Sequence, residues 1–116
     1  MATREAEASV RDREGVAVIV LRGEINALAE EALESAYAEA IASDPRSVLL
    51  NFKDTDYINS TGIALIVSLL ARARTEHRQI TACGLSDHYR EIFEITRLSD
   101  FMPIYPDEQS ATEGHR

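Results

Sequence analysis

The stretch SVLLNFKDTDYINSTGIALIVSLLARARTEHRQITAC, residues 47–83, decides the fold. Its first residues, Ser47 to Phe52, read as a buried strand, and Ile63, Ile66, Val67, Leu69, Leu70 and Ala73 fall on one side of a helix ending near His77. Ile80-Thr81-Ala82-Cys83 returns to strand, closed by Gly84. A strand, a helix and a strand in this order predict parallel strands joined by a right-handed crossover. The polar segment from Asp54 to Ile63 reads as the loop that feeds the helix.

The same alternation continues outward. Ser9 to Arg13, the Glu14-Gly15 turn and Val16 to Leu21 read as two adjacent antiparallel strands. The second is apolar on both parities, as a strand covered on both faces would be. Leu33, Ala36, Tyr37, Ala40 and Ile41 share one face of a helix starting near Leu28, while Glu30, Glu31, Glu34 and Glu39 take the others and Ser43-Asp44-Pro45 stops it. Leu85, Tyr89, Ile92, Phe93 and Thr96 suit a third helix capped by Ser86, and Met102 to Tyr105 a short edge strand guarded by Pro103 and Pro106. The order β-β-α-β-α-β-α, with a last β, predicts one α/β domain: a mixed, mainly parallel sheet of four or five strands with about three helices. The doubly apolar strands favour cover on each side of the sheet. Residues 1–8 are expected to be an N-terminal extension, 9–106 the domain and 107–116 a disordered tail.

Composition bounds the function. A chain of 116 residues supports one core. Twenty acidic against twelve basic residues, net −8, argue against nucleic acid, because phosphate neutralisation needs a positive surface. The middle third is net positive, but Arg72, Arg74 and Arg78 follow an apolar helix without interleaved aromatics and read as a solvated face. The apolar runs fall short of the roughly 20 residues that span a bilayer, and the first seven residues lack the apolar core of a signal peptide, so the expectation is a cytoplasmic protein not inserted in membranes. The single cysteine, Cys83, precludes an intrachain disulfide and reads as a small buried hydrophobe. Phosphate-loop, dinucleotide, zinc-protease, nucleophile-elbow and paired-cysteine motifs are all missing, and His77, His88 and His115 read as structural or surface residues. An enzyme is not expected, and neither is a metal or cofactor.

The informative segment is Asp54-Thr55-Asp56-Tyr57-Ile58-Asn59-Ser60-Thr61-Gly62-Ile63, which brings two hydroxyls to a helix start. A helix N-terminus presents backbone N–H groups and a positive dipole end, so a phosphate on Ser60 is tolerated by the protein that carries it. It would add about −1.5 to −2 charges, enough to repel a partner. The alternative is that Asn59, Ser60 or Thr61 simply caps the helix. Physics alone favours the cap: the local chemistry permits a phospho-switch without selecting it.

Tyr57-Ile58-Asn59-Ser60-Thr61-Gly62-Ile63 resembles the phosphorylation-site signature of bacterial anti-sigma factor antagonists of the STAS-domain family, and Leu21-Arg22-Gly23-Glu24-Ile25-Asn26 resembles that family's strand-ending Leu-x-Gly-Glu-Leu-Asp. The similarity runs from about Ser9 to Tyr105. It implies a non-catalytic binding module that engages an anti-sigma factor which is also a serine kinase of the GHKL type. Phosphorylation at Ser60, with Thr61 as second candidate, would release that partner, and a PP2C-type phosphatase would reset the switch. The resemblance assigns partner contacts to Gly23, Glu24, Asn26, Tyr57, Asn59, Ser60, Thr61 and Gly62. Asn26 and Asn59 stand where the family commonly has aspartates, removing two negative charges. If those aspartates activate the hydroxyl, the change slows phosphorylation; if they only hold turns, asparagine serves equally. Tyr57 reads as either an interface anchor or a loop-packing aromatic, and Ile58 as core. Two other functions compete: a STAS scaffold or accessory subunit, stressosome-like or transporter-associated, without a phospho-switch; and a receiver-like enzyme using Asp54 and Asp56 as ligands, which lacks the acidic pair and lysine that a receiver needs.

Overall fold

The computed structural model describes residues 5–113. Strands β1 (Glu7–Arg13) and β2 (Val16–Ile25) are antiparallel, and β3 (Ser47–Ile58), β4 (Gln79–Cys83) and β5 (Ile104–Tyr105) follow in parallel, giving a sheet of order β1-β2-β3-β4-β5. Helix α1 (Glu30–Ile41), preceded by a 3-10 turn at Ala27–Ala29, joins β2 to β3. Helix α2 (Ser60–Thr75) joins β3 to β4, and α3 (Asp87–Ile95), capped by the Ser86 hydroxyl as its sequence predicts, leads through a second 3-10 turn to β5. The mixed, mainly parallel α/β sheet expected from the element order is the one observed.

The strand order explains where the helices go. Parallel strands laid down in sequence, with no reversal, place every right-handed crossover on the same face. The main core accordingly packs Ala17, Ile19 and Leu21 of β2, Val48, Leu50 and Phe52 of β3, and Ile80 and Ala82 of β4 against Leu33 and Tyr37 of α1, Ile66 and Leu69 of α2 and Phe93 of α3. All three crossover helices cover one face, not two. The opposite parity, Val16, Val18, Val20, Leu49 and Cys83, is buried as well, and there the cover comes from Ala111 of a fourth helix, α4 (Glu108–Glu113), together with Tyr105.

That helix corrects the expectation of a disordered tail over 107–116. Asp107 accepts the Ser110 N–H at 2.8 Å as a cap, Ala111 and Thr112 are buried, and Glu108 is tied to β1 and β3; His115 and the other residues from 114 onward lie outside the described residues. A six-residue helix with two buried residues has too short an apolar period to be read from sequence. Strand β1 likewise starts at Glu7, inside the expected extension, of which residues 1–4 lie outside the described part.

A second correction concerns the polar segment from Asp54, expected to be a loop. Residues 54–58 continue β3. Pairing with β4 ends at Asn51 and Cys83, so the rest of β3 has a strand neighbour only in β2 and carries polar side chains as an edge does. Register shifts between Val20 and Arg22 and between Gly23 and Glu24 let β3 run longer than β2 over the shared span.

Candidate functional site

The paired ends of β2 and β3 bring the two sequence motifs together. Glu24 lies opposite Tyr57 and Ile25 opposite Ile58, so Asn26 and Asn59 leave the sheet side by side at the carboxyl ends of parallel strands. The Asn59 N–H donates to the Ile25 carbonyl at 3.2 Å, bonding the two exits directly.

Each asparagine then caps the element after it. Asn26 Oδ1 accepts the Leu28 N–H at 2.9 Å and starts the 3-10 turn, while Asn59 Oδ1 accepts the Gly62 N–H at 2.8 Å and starts α2. The cap of α2 is therefore Asn59, and neither Ser60 nor Thr61 is needed for it. Both hydroxyl residues are exposed, in the first turn where the backbone donors and the helix dipole point outward. An aspartate would make the same two caps, so asparagine at 26 and 59 preserves the turns while lacking the charge and adding an amide donor.

Two of the expected contact residues act from beneath the surface. Gly62 is buried, and a Cβ there would meet the Ile25 carbonyl oxygen at 2.0 Å, so only glycine lets α2 start this close to β2. Gly23, also buried, has φ 85° at a register shift, a conformation that disfavours L side chains. Glu24, Asn26 and Asn59 are half-buried, and Ile58 is buried as core, 4% exposed. Tyr57 is 50% exposed yet packs edge-on against Tyr89 at 6.5 Å between centroids, so it both supports the loop and offers a face to solvent.

Two residues of this surface went unread in the sequence. Tyr89, on α3, accepts the Ile58 N–H with its hydroxyl at 2.9 Å, standing in for the β4 carbonyl that the shorter strand does not supply. Leu28, 84% exposed on the 3-10 turn that packs against α2, is the most exposed large apolar side chain described. Its only sequence signal is that it falls outside the apolar phase of α1. Asp54 and Asp56 lie along β3, and among the described residues no group of three or more His, Cys, Asp or Glu is placed to hold a metal. His77 and His88 are exposed, and Cys83 is fully buried, its thiol pushed up to about 12 by desolvation and then by the nearby Glu108 and Asp107 charges.

The STAS domain model matches residues 7–111, and the chain belongs to the STAS-domain family. The curated proteins it resembles include anti-sigma factor antagonists, among them the anti-sigma-B factor antagonist of Staphylococcus aureus, 28% identical over 82 residues, 71% of this chain and 76% of its own. BtrV, a candidate anti-sigma factor antagonist of Bordetella bronchiseptica, is 31% identical over 103 residues, covering 89% of each chain. Among solved structures, an anti-sigma factor antagonist from Mycobacterium paratuberculosis superposes with a TM-score of 0.81 at 22% identity, over 95% of this chain and 93% of its own. The phosphorylated form of the Bacillus cell fate determinant SpoIIAA superposes with a TM-score of 0.71 at 20% identity, over 94% and 99%. These structural likenesses establish the fold. No helix among the described residues is long and apolar enough to cross a membrane.

Proposed function

We propose that this protein is an anti-sigma factor antagonist that binds an anti-sigma factor of the GHKL serine kinase type through the surface around Ser60, and that phosphorylation of Ser60 releases the partner. The observation that carries the reading is the division of labour at the start of α2: Asn59 holds the helix cap at 2.8 Å, leaving the exposed Ser60 hydroxyl without a structural duty. The partner's ATP donates its γ-phosphoryl group to Ser60 Oγ, the hydroxyl proton leaves, and ADP departs. The dianion then faces the helix dipole, which favours it within this protein, while a partner seated over the same turn meets repulsion and a desolvation cost. Leu28 and Tyr57 supply the apolar contact that a docked surface needs, with Glu24, Asn26 and Asn59 as its polar rim. A PP2C-type phosphatase restores the binding state. The protein does no catalysis of its own, and it works in the cytoplasm.

The experiment is a pull-down from the native host with phosphosite mapping, followed by reconstitution with the captured kinase and ATP. One phosphate is expected on Ser60. Ser60→Ala should keep binding and lose switching, and Ser60→Asp should weaken binding. A phosphate that maps elsewhere, or that leaves affinity unchanged, overturns the switch. Retained binding in a large assembly or with a transporter, whatever the state of Ser60, would establish the scaffold role instead.

A further inference from the structure

The face of the sheet turned away from α1, α2 and α3 carries a cavity of about 920 Å³, in the size range of small-molecule sites. Strand alternation builds its charge. Ser9, Arg11 and Arg13 point to this face from β1, Arg22 from β2, and Asn51 and Lys53 from β3. Four cations thus line one cavity in a chain whose net charge is −8.

Part of that positive surface already holds an anion. The Glu108 carboxylate of α4 receives Arg11 Nη1 at 2.7 Å and Arg11 Nη2 at 2.5 Å, Arg13 Nη1 at 2.8 Å and Asn51 Nδ2 at 3.0 Å. Two guanidinium groups and an amide converging on one carboxylate form a cradle for a planar or tetrahedral oxyanion. Arg22 and Lys53 line the same cavity but take no part in holding Glu108. Three carboxylates, Asp54, Asp107 and Glu108, also line it, so the four cations leave a formal balance of +1 with α4 docked. Two of those three belong to the α4 segment. Without that segment only Asp54 would remain, and the balance would be +3.

We propose that this open face is a binding site for a compact polyanion, phosphate- or carboxylate-bearing, that takes the place of the Glu108 carboxylate over Arg11, Arg13 and Asn51 while engaging Arg22 and Lys53, and so undocks α4. A monoanion does not suffice. It would compete with a tethered carboxylate whose effective concentration is on the order of millimolar. A ligand with two or more anionic groups wins by reaching the cations that Glu108 leaves out. The device sits apart from the Ser60 turn, so it adds a small-molecule input to the module and does not depend on the phospho-switch.

The test titrates the full chain with inorganic pyrophosphate and, separately, citrate, following backbone amide signals and calorimetry. Saturable binding is expected, with shifts at Arg11, Arg13 and Lys53 and faster hydrogen exchange at Ala111 and Thr112. Glu108→Gln should tighten binding about tenfold by removing the competitor, and Arg22→Gln and Lys53→Gln should each weaken it about tenfold, as the loss of a charged hydrogen bond does. Ser60→Ala is the control that leaves affinity unchanged. The tighter of the two probes identifies phosphate or carboxylate as the group taken. Failure of both to saturate, shifts centred on Ser60 to Gly62, or an affinity that Glu108→Gln leaves unchanged would each overturn the proposal.

Discussion

Replacing Gly62 by alanine tests the coupling between the two motifs. In the first turns of an ordinary helix this substitution stabilises, by about 1 kcal/mol in propensity. Here the new Cβ would lie 2.0 Å from the Ile25 carbonyl oxygen and 2.7 Å from its carbon. Both are backbone atoms of Ile25, which pairs with Ile58 of β3, so neither can rotate away. A carbon and an oxygen need about 3.3 Å, and α2 must therefore retreat from β2 by roughly 1 Å. That retreat breaks the Asn59 N–H bond to Ile25, already 3.2 Å long. Overpacking against rigid backbone costs about 3 kcal/mol and the lost bond about 1, so after the propensity gain the net loss is about 3 kcal/mol. For a domain of this size that is a fall in Tm of roughly 10 °C. Gly15→Ala is the comparison: φ is +87°, but nothing lies within 4 Å of its Cβ, so it should lose only about 1–2 kcal/mol from the left-handed backbone. Circular-dichroism melts and urea titrations of both variants provide the assay. A Gly62→Ala protein as stable as the parent, or more so, would refute the close approach of α2 to β2.

The other predictions concern the caps and the α4 latch. Asn59→Ala should cost about 1 kcal/mol of stability in denaturant titration, whereas Asn59→Asp should be neutral or stabilising by up to about 1 kcal/mol, since a carboxylate makes the same cap and suits the helix N-terminus. The arginines Arg11 and Arg13, with Asn51, hold the Glu108 carboxyl down at about 2, against its ordinary 4.5. A depressed carboxyl contributes stability above its unfolded value and loses it as the pH falls. The α4 contribution, on the order of 2 kcal/mol once the half-exposed Arg11 is allowed for, should therefore vanish between about pH 4.5 and 2, and Glu108→Gln should flatten that stretch of the stability-against-pH curve. Cys83, buried beside α4 with its thiol pushed up to about 12, should react slowly with iodoacetamide at mildly alkaline pH, and Glu108→Gln should speed the labelling.

The sequence is legible where burial is periodic. The spacing of Leu33, Ala36, Tyr37 and Ala40 and the apolar runs of β2, β3 and β4 reflect directly which side chains the core removes from water, and those four helix residues are all buried. The polar half of β3 was not legible, because its hydrogen bonds come from β2 on one side and from the Tyr89 hydroxyl on the other, and a strand that projects past its neighbour carries no apolar alternation. Helix α4 was hidden for a different reason: it is held by a carboxylate between two arginines from the far end of the chain, and charges distant in sequence leave no period. The double apolarity of Val16, Val18 and Val20 did announce that something covers the second face, without saying what.

At the site itself the motif gave the positions and the structure gives their roles. Positions 26 and 59 each offer a side-chain oxygen to a backbone N–H two or three residues on, at 2.9 and 2.8 Å. Both contacts need an acceptor and neither needs a charge. Ile25 links the two exits through its carbonyl, which accepts the Asn59 N–H and would meet any Cβ on residue 62. Amides in place of carboxylates also leave the first turn of α2 without an acidic residue, so a phosphate on Ser60 would meet the helix dipole without an adjacent repelling charge from the cap. The proposed switch then predicts that the double variant Asn26→Asp with Asn59→Asp, once phosphorylated on Ser60, holds its phosphate against a phosphatase less well than the parent does.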